Sequence, residues 1–213
     1  MTYIENIFLC LAIPPLLGQL FIRGSTRRFL LFFVLGMGMC LLSAYVNRFF
    51  MNWYHADAVI ASIEIAPVCE EILKLLPLLF YFLIFEPDSN DLTPAAISIA
   101  IGFATLENVC YLTENGADRF FFLLIRGISS GALHLLCGTA VGLGLAHVFR
   151  RRWLVLTGTV GILGITIVSH AIFNLLITAS GVWQTIGSIF PSALLLFLYG
   201  TRLLRRGKQP MFH

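Results

Sequence analysis

Long runs of apolar residues follow one another along almost the whole chain, and short polar stretches separate them. Each of seven such runs is long enough to predict a helix that crosses a membrane, which needs about 20 residues. Their predicted bounds are Ile4–Phe21, Phe29–Phe50, Ala58–Phe85, Ala95–Thr113, Phe120–Phe149, Trp153–Thr178 and Val182–Leu204. The pattern predicts an all-α fold, a polytopic bundle of about seven transmembrane helices.

Composition agrees with this prediction. The 213 residues are 58% hydrophobic and 12% charged, with a mean hydropathy of +0.88, whereas about 25% of the residues in a soluble domain are charged. No connection between the runs is long enough for a folded unit, so we expect a single integral membrane domain over residues 1–213. The first run lacks the basic start and the A-x-A site of a cleaved signal peptide, so we expect a retained first helix.

Basic residues cluster in three of the connections and predict the orientation. The clusters contain Arg23, Arg27 and Arg28, then Arg150, Arg151 and Arg152, and finally Arg205, Arg206 and Lys208. With seven helices all three lie on one side, which the positive-inside rule makes cytoplasmic. The N-terminus is then outside and the C-terminus cytoplasmic. The net charge of +3 is explained by these clusters, so we expect no nucleic-acid partner.

Four of the predicted helices carry polar side chains inside their apolar runs. An ionisable side chain at membrane depth costs about 2.5–3.5 kcal/mol on insertion scales, so such residues usually have a function. In chain order they are Glu70, Glu71, Lys74, Glu107, Asn108, Arg126, Ser130, His134, His170 and Asn174. Several are spaced i, i+4 and share one helix face. At about 1.5 Å of rise per residue they lie at similar depth, so a common interior would hide them from lipid.

The set as a whole is harder to explain by helix packing than any single member. An isolated residue such as Ser130 or Asn174 usually joins helices by a hydrogen bond. Lys74 is expected to keep one of the two glutamates charged. The five remaining ionisable groups, three carboxylates and two imidazoles in one layer, point to chemistry. They are Glu70, Glu71, Glu107, His134 and His170.

Adjacent glutamates and two histidines suit hydrolysis by an activated water molecule. One glutamate can act as the general base, while His170 and Asn174, one turn apart, can donate hydrogen bonds to a developing oxyanion. Other hydrolytic schemes lack their residues: the chain has no HExxH zinc motif and no GxSG serine motif. The aspartates all lie in predicted loops, at Asp57, Asp88, Asp91 and Asp118.

The same residues resemble the motifs of the PrsW-type intramembrane proteases. Glu70-Glu71-Ile-Leu-Lys74 is similar to their EExxK motif, and Phe103-Ala-Thr-Leu-Glu107-Asn108 to their FxxxEN motif. The third motif corresponds to His134, with Arg126 and Ser130 before it, and the fourth to His170. The motif-bearing core covers about residues 58–180.

The resemblance implies a glutamate-dependent, metal-free intramembrane endopeptidase that needs no cofactor. Glu70 or Glu71 would activate water with help from His134, and His170 with Asn174 would stabilise the oxyanion. The family belongs to a larger group that includes the CAAX prenyl endopeptidases and bacteriocin-processing proteins. The implied substrate is a membrane-anchored protein, such as an anti-sigma factor whose cleavage releases a stress-response sigma factor. The implied location is a bacterial or archaeal plasma membrane.

Two other functions use the same residue types. Glu71, Glu107, His134 and His170 are ligand types that hold zinc or manganese, which would make the chain a metal-dependent membrane protease. Carboxylates and histidines at membrane depth also relay protons or bind ions, as a transporter would need. A transporter, however, often consists of two related halves, and this sequence shows no internal repeat. A non-catalytic immunity protein is a further alternative in which, as in a transporter, the chain is not a protease.

Overall fold

The computed structural model describes residues 4–115 and 120–207, and within them every regular element is a helix. The α-helices are α1 (Ile4–Gly18), α2 (Gly24–Trp53), α3 (Ala58–Ile60), α4 (Ala66–Phe85), α5 (Ser89–Asn115), α6 (Phe120–Val148), α7 (Val155–Thr178) and α8 (Val182–Gly207). A π-helix at Ala61–Ile65 joins α3 to α4, and a 3₁₀-helix at Arg152–Leu154 precedes α7. The predicted all-α class is confirmed.

Helices α2 and α5 each begin about one and a half turns before the predicted start. Their first residues, 24–28 of α2 and 89–91 of α5, are mostly polar, so hydropathy alone places the start too late. As a result Asp91 lies in the first turn of α5 and not in a loop. Asp118, predicted to lie in a loop, and Lys208, predicted to belong to the third basic cluster, are outside the described residues.

Five helices of the described chain have the length and apolar composition of membrane spans: α2, α5, α6, α7 and α8. Helix α1 is apolar but has only 15 residues. Helix α4 has 20 residues, but Glu70, Glu71 and Lys74 give it more charge than an ordinary span carries. The chain is therefore a membrane protein with five candidate spans, and the two further predicted crossings depend on α1 and on the α3–α4 segment.

The π-helix lies directly before a proline. Pro67 has no N–H group, and its ring would clash with the carbonyl of residue 63 in a regular α-helix. The wider π-turn, in which Ala66 N–H donates to the carbonyl of Ala61, relieves this clash without breaking the helix. The helical segment is therefore continuous from residue 58 to residue 85.

Glycines allow α5 to pack directly on its neighbour α2. A Cβ atom added at Gly36 would lie 2.1 Å from the carbonyl oxygen of Ile99, and one added at Gly102 would lie 1.9 Å from that of Phe33. Small residues permit such close approach of membrane helices. Gly138 makes the corresponding contact between α6 and α5. These contacts fix α5 between α2 and α6, and α4 packs on α2, α5 and α7.

Candidate active site

The polar residues of α4 are turned into the bundle, where helices α2, α5, α6 and α7 surround them. Glu70, Glu71 and Lys74 are buried, with exposed fractions of 8%, 3% and 7%. His134 of α6 and His170 of α7 are buried as well. The structure thus brings the ionisable residues of four helices together.

Glu71 is the centre of one half of this cluster. Its Oε1 accepts a hydrogen bond from Lys74 Nζ at 2.5 Å and lies 3.0 Å from His170 Nδ1. A carboxylate accepts hydrogen bonds, and an ammonium group only donates them. Glu71 therefore orients the His170 ring and pairs with the Lys74 charge.

Glu107 of α5 is the centre of the other half. Its Oε2 lies 2.6 Å from His134 Nε2 and accepts a hydrogen bond from Ser130 Oγ at 3.1 Å. Its Oε1 lies 3.7 Å from the Arg126 guanidinium group, which stacks on the ring of Tyr111 at 3.6 Å. Three residues of α6 therefore hold the Glu107 carboxylate.

Lys74 connects the two halves. Its Nζ lies 3.0 Å from His134 Nδ1 as well as 2.5 Å from Glu71. The His134 and His170 rings are edge to face, with centroids 5.1 Å apart. One buried ammonium group therefore contacts both Glu71 and His134, the partner of Glu107.

The partners assign the tautomers of both histidines. Lys74 can only donate, so His134 accepts at Nδ1 and donates from Nε2 to Glu107. Glu71 can only accept, so His170 carries its hydrogen on Nδ1. The lone pair of His170 Nε2 then faces Glu70, whose Oε2 lies 3.8 Å away.

Glu70 is the least constrained carboxylate of the cluster. Its Oε1 accepts one long hydrogen bond, from Asn47 Nδ2 at 3.4 Å, and its buried Oε2 has no hydrogen-bond partner among the described residues. A buried polar atom without a protein partner usually binds a water molecule or an ion, or has a catalytic role. Glu70 Oε2 and His170 Nε2 are both acceptors, and one water molecule or one cation can contact both.

The donor set also fits a divalent cation. Glu70, His134 and His170 each offer one ligand atom, and these atoms lie within 4.8 Å of one another. Two histidines and a glutamate are a known ligand set of catalytic zinc. Both ring nitrogens of His134 contact other groups, so His134 would have to release one of them to bind a metal. From the sequence, Glu71 and Glu107 are the carboxylates grouped with the two histidines as a ligand set. In the structure both contact a histidine, but the ligand atoms within 4.8 Å of one another belong to Glu70, His134 and His170.

Two of the predicted supporting residues contact backbone instead of the cluster. Asn108 Nδ2 donates to the carbonyl of Gly127 at 3.4 Å and joins α5 to α6. Asn174 Nδ2 donates to the carbonyl of Ser62 at 2.8 Å and joins α7 to the π-helix.

Asn47 of α2 is a site residue that the sequence pattern did not indicate. It contacts Glu70, and its own Oδ1 is buried without a hydrogen-bond partner in the part of the chain that the structure describes. Ser43, one turn earlier, is also buried. This i, i+4 spacing is the same signal that marked the other four helices, and it adds α2 to the walls of the site.

Comparison with known proteins agrees with these features. A family model described as "PrsW family intramembrane metalloprotease" matches residues 25–200. A protein named Protease PrsW from Bacillus subtilis is 28% identical over 117 residues, which cover 52% of this chain and 49% of that protein. Another, from Oceanobacillus iheyensis, is 25% identical over 183 residues, 83% of this chain and 81% of the relative.

The match to the Bacillus subtilis relative spans about half of its length. No solved structure matches the chain. The family model, in contrast, covers most of it, from α2 to α8, including all four motifs. The protein therefore belongs to the PrsW family of intramembrane proteases.

Proposed function

We propose that the chain is an intramembrane endopeptidase that hydrolyses a peptide bond of a membrane-anchored protein, such as an anti-sigma factor. The observation that carries this proposal is the free Oε2 of Glu70, a buried carboxylate oxygen that faces His170 Nε2 at 3.8 Å. The names of the family and of the two relatives support proteolysis. A wider relation to the CAAX prenyl endopeptidases stays a prediction.

In this mechanism Glu70 is the general base. A water molecule between Glu70 Oε2 and His170 Nε2 donates to both acceptors, which turns its oxygen lone pairs toward the scissile carbonyl carbon. Glu70 takes one proton as the water attacks and later gives it to the leaving amine, the usual exchange of roles in acid–base catalysis. Glu71 holds His170 in the required tautomer, as a carboxylate does for a catalytic histidine.

The oxyanion needs hydrogen-bond donors near the water. Lys74 uses two of its three N–H groups on Glu71 and His134, and its Nζ lies over the Phe103 ring, 4.6 Å from the centroid. The third N–H group would have to turn away from this ring to reach the oxyanion. Asn174 donates one amide hydrogen to Ser62, so a contribution to the oxyanion requires its second one. His170 donates from Nε2 only after that atom has taken up a proton.

Substitution of Glu70 tests the assignment. Membrane proteomes of cells with the wild type and with a Glu70→Gln/Glu71→Gln double variant are compared first, because uncut proteins that accumulate identify the substrate. With that substrate in proteoliposomes, Glu70→Gln should lower the cleavage rate by about 10²–10⁴-fold, the usual effect of losing a general base. Glu64→Gln, an exposed glutamate of the π-helix, is the matched control and should cleave normally.

If the variants Glu70→Gln, Glu71→Gln and His170→Ala all cut the substrate at the wild-type rate, the assignment of these residues to catalysis fails. If the reconstituted wild type itself does not cut the substrate, a transporter or immunity protein is the better interpretation of these residues.

A metal-dependent mechanism is the second candidate, and the proximity of Glu70, His134 and His170 favours it. These three residues would hold the ion, which would lower the pKa of a bound water and polarise the carbonyl. Metal analysis of the purified wild type and of His170→Ala separates the candidates. One metal per chain that is lost in the variant, together with cleavage lost in chelator and restored by zinc, would establish this mechanism and refute the metal-free one.

We also propose that α1 and the α3–α4 segment cross the membrane, giving seven spans with the N-terminus outside and the C-terminal end cytoplasmic, in a bacterial plasma membrane. The three arginine clusters support this orientation. Single cysteines placed at His55 and Asp88 in a cysteine-free background test it. Impermeant reagent should label His55→Cys from outside and Asp88→Cys only after permeabilisation. Labelling of both from the same side would show that the α3–α4 segment does not cross.

A further inference from the structure

A cavity of about 1410 Å³ opens at the end of the bundle that carries the arginine clusters. Residues of α2, α4, α5, α6 and α8 line it. Its volume exceeds the roughly 300–1,000 Å³ of ordinary small-molecule pockets. We call it the basal groove.

The basal groove is separate from the carboxylate–histidine cluster. On α6, its lining includes Leu135, Thr139 and Leu143, which follow one another at i, i+4 and share one face. A small second cavity beside Glu71 and Lys74 is lined by Gly138 and Val141, on another face of the same helix. The proposed catalysis therefore does not use the groove.

The mouth of the groove is basic. Arg28, Arg150 and Arg202 line it, with Asp91 as the acidic residue among the described lining residues. Arg28 pairs with Asp91 at 2.6 Å, whereas Arg150 donates to the neutral hydroxyl of Ser89 at 2.9 Å. Within the described residues Arg202 has no acidic partner.

Below this mouth the wall is apolar. Phe29 and Phe32 of α2, Leu135 and Leu143 of α6 and Leu195 of α8 line it. Along α6 the lining runs from His147 to Leu135, which is about 18 Å at the rise of an α-helix. One leaflet contributes about 15 Å of hydrocarbon. The groove thus has a charged end at the headgroup level and an apolar wall as deep as one leaflet.

We propose that the basal groove binds an anionic phospholipid, with its phosphate at Arg150 and Arg202 and an acyl chain along the apolar wall. Excess positive charge at the mouth complements a phosphate, and the apolar wall complements a chain, whereas a free anion would leave that wall uncovered. Basic pockets between membrane helices on the cytoplasmic side are known sites for lipid head groups, and that leaflet is rich in anionic lipid.

Lipid retention tests the proposal without any protease assay. The full-length protein is reconstituted in nanodiscs of phosphatidylglycerol and phosphatidylcholine, extracted in mild detergent, and its retained lipids are counted by mass spectrometry. The wild type should retain phosphatidylglycerol in excess of its share in the nanodisc. One basic residue near a membrane surface contributes about 1 kcal/mol to anionic lipid binding, or roughly fivefold. Arg150→Gln/Arg202→Gln should therefore lower the excess at least fivefold.

Two control variants make the result specific. Arg23→Gln/Arg27→Gln removes the same charge from exposed positions that do not line the groove, and it should keep the excess. Leu143→Trp fills the groove and should lower retention of phosphatidylglycerol, while Leu156→Trp, at another exposed apolar position, should not.

Three outcomes would overturn the proposal. Equal retention by the two arginine double variants would show only a diffuse charge effect. Displacement of the lipid by inorganic phosphate alone would indicate a free-anion site. Loss of substrate cleavage in Leu143→Trp with unchanged lipid retention would assign the groove to the substrate.

Discussion

Replacing Lys74 with methionine should destabilise the protein more than any other single loss of charge in the cluster. Its ammonium group is buried, lies 2.5 Å from Glu71 and 3.0 Å from His134, and is the cation nearest to Glu71. The substitution leaves the Glu71 carboxylate buried, with the His170 ring at 3.0 Å as its remaining side-chain contact. Removing one partner of a buried ion pair typically costs about 3–5 kcal/mol, because the remaining charge keeps its desolvation cost.

Thermal unfolding in detergent measures this cost. For a chain of this size 1 kcal/mol shifts the midpoint by about 2–4 °C, so Lys74→Met should lower it by roughly 6–20 °C. The double variant Glu71→Gln/Lys74→Met removes both charges and should recover most of the loss. Arg28→Gln breaks the pair with Asp91, whose side chains are 51% and 33% exposed, and it should shift the midpoint less. If Lys74→Met lowers the midpoint by no more than Arg28→Gln does, the argument is refuted.

Two further predictions concern packing and support. Gly102→Ala should lower the midpoint of thermal unfolding, because its Cβ would lie 1.9 Å from the carbonyl oxygen of Phe33. Such overpacking costs about 1–3 kcal/mol. The control Gly38→Ala, with open space around the added Cβ, should not lower the midpoint. Asn174→Ala should speed the exchange of backbone amide hydrogens in residues 61–65, because it removes the 2.8 Å hydrogen bond to the Ser62 carbonyl. A lower kcat with unchanged exchange would instead favour a role of Asn174 at the oxyanion.

The helices and the polar helix faces could be predicted from the sequence. Apolar runs and i, i+4 spacing depend only on which residues follow one another along the chain, so both can be found in the sequence without knowledge of the fold. These patterns were sufficient to place Glu70, His134 and His170 on helix faces that turn to a shared interior. Their chemical roles stay predictions.

The pairing inside the cluster could not be predicted, because it depends on how far each helix is rotated about its axis. That rotation follows from tertiary contacts such as that of Gly36 with Ile99. The rotation of the helices determines that Glu71 contacts Lys74 and His170, whereas Glu70 Oε2 has no hydrogen-bond partner among the described residues. The basal groove could not be predicted for a similar reason: its lining comes from five helices, none of which shows a distinctive pattern alone.

The π-helix determines where this fold can change in length. A π-turn holds about one residue more than an α-turn, so deleting one residue within 61–65 would convert it to an α-turn and bring the Pro67 ring back against a carbonyl. The part before it, which begins where Asp57 accepts a hydrogen bond from Ile60 N–H at 2.8 Å, would keep nearly the same orientation relative to α4, because the α-turn closes the same rotation with one residue fewer. The spacing from Glu70 to Lys74 would not change. Length differences among related chains should therefore fall between residues 57 and 66, and an alignment that placed them inside α4 would contradict this.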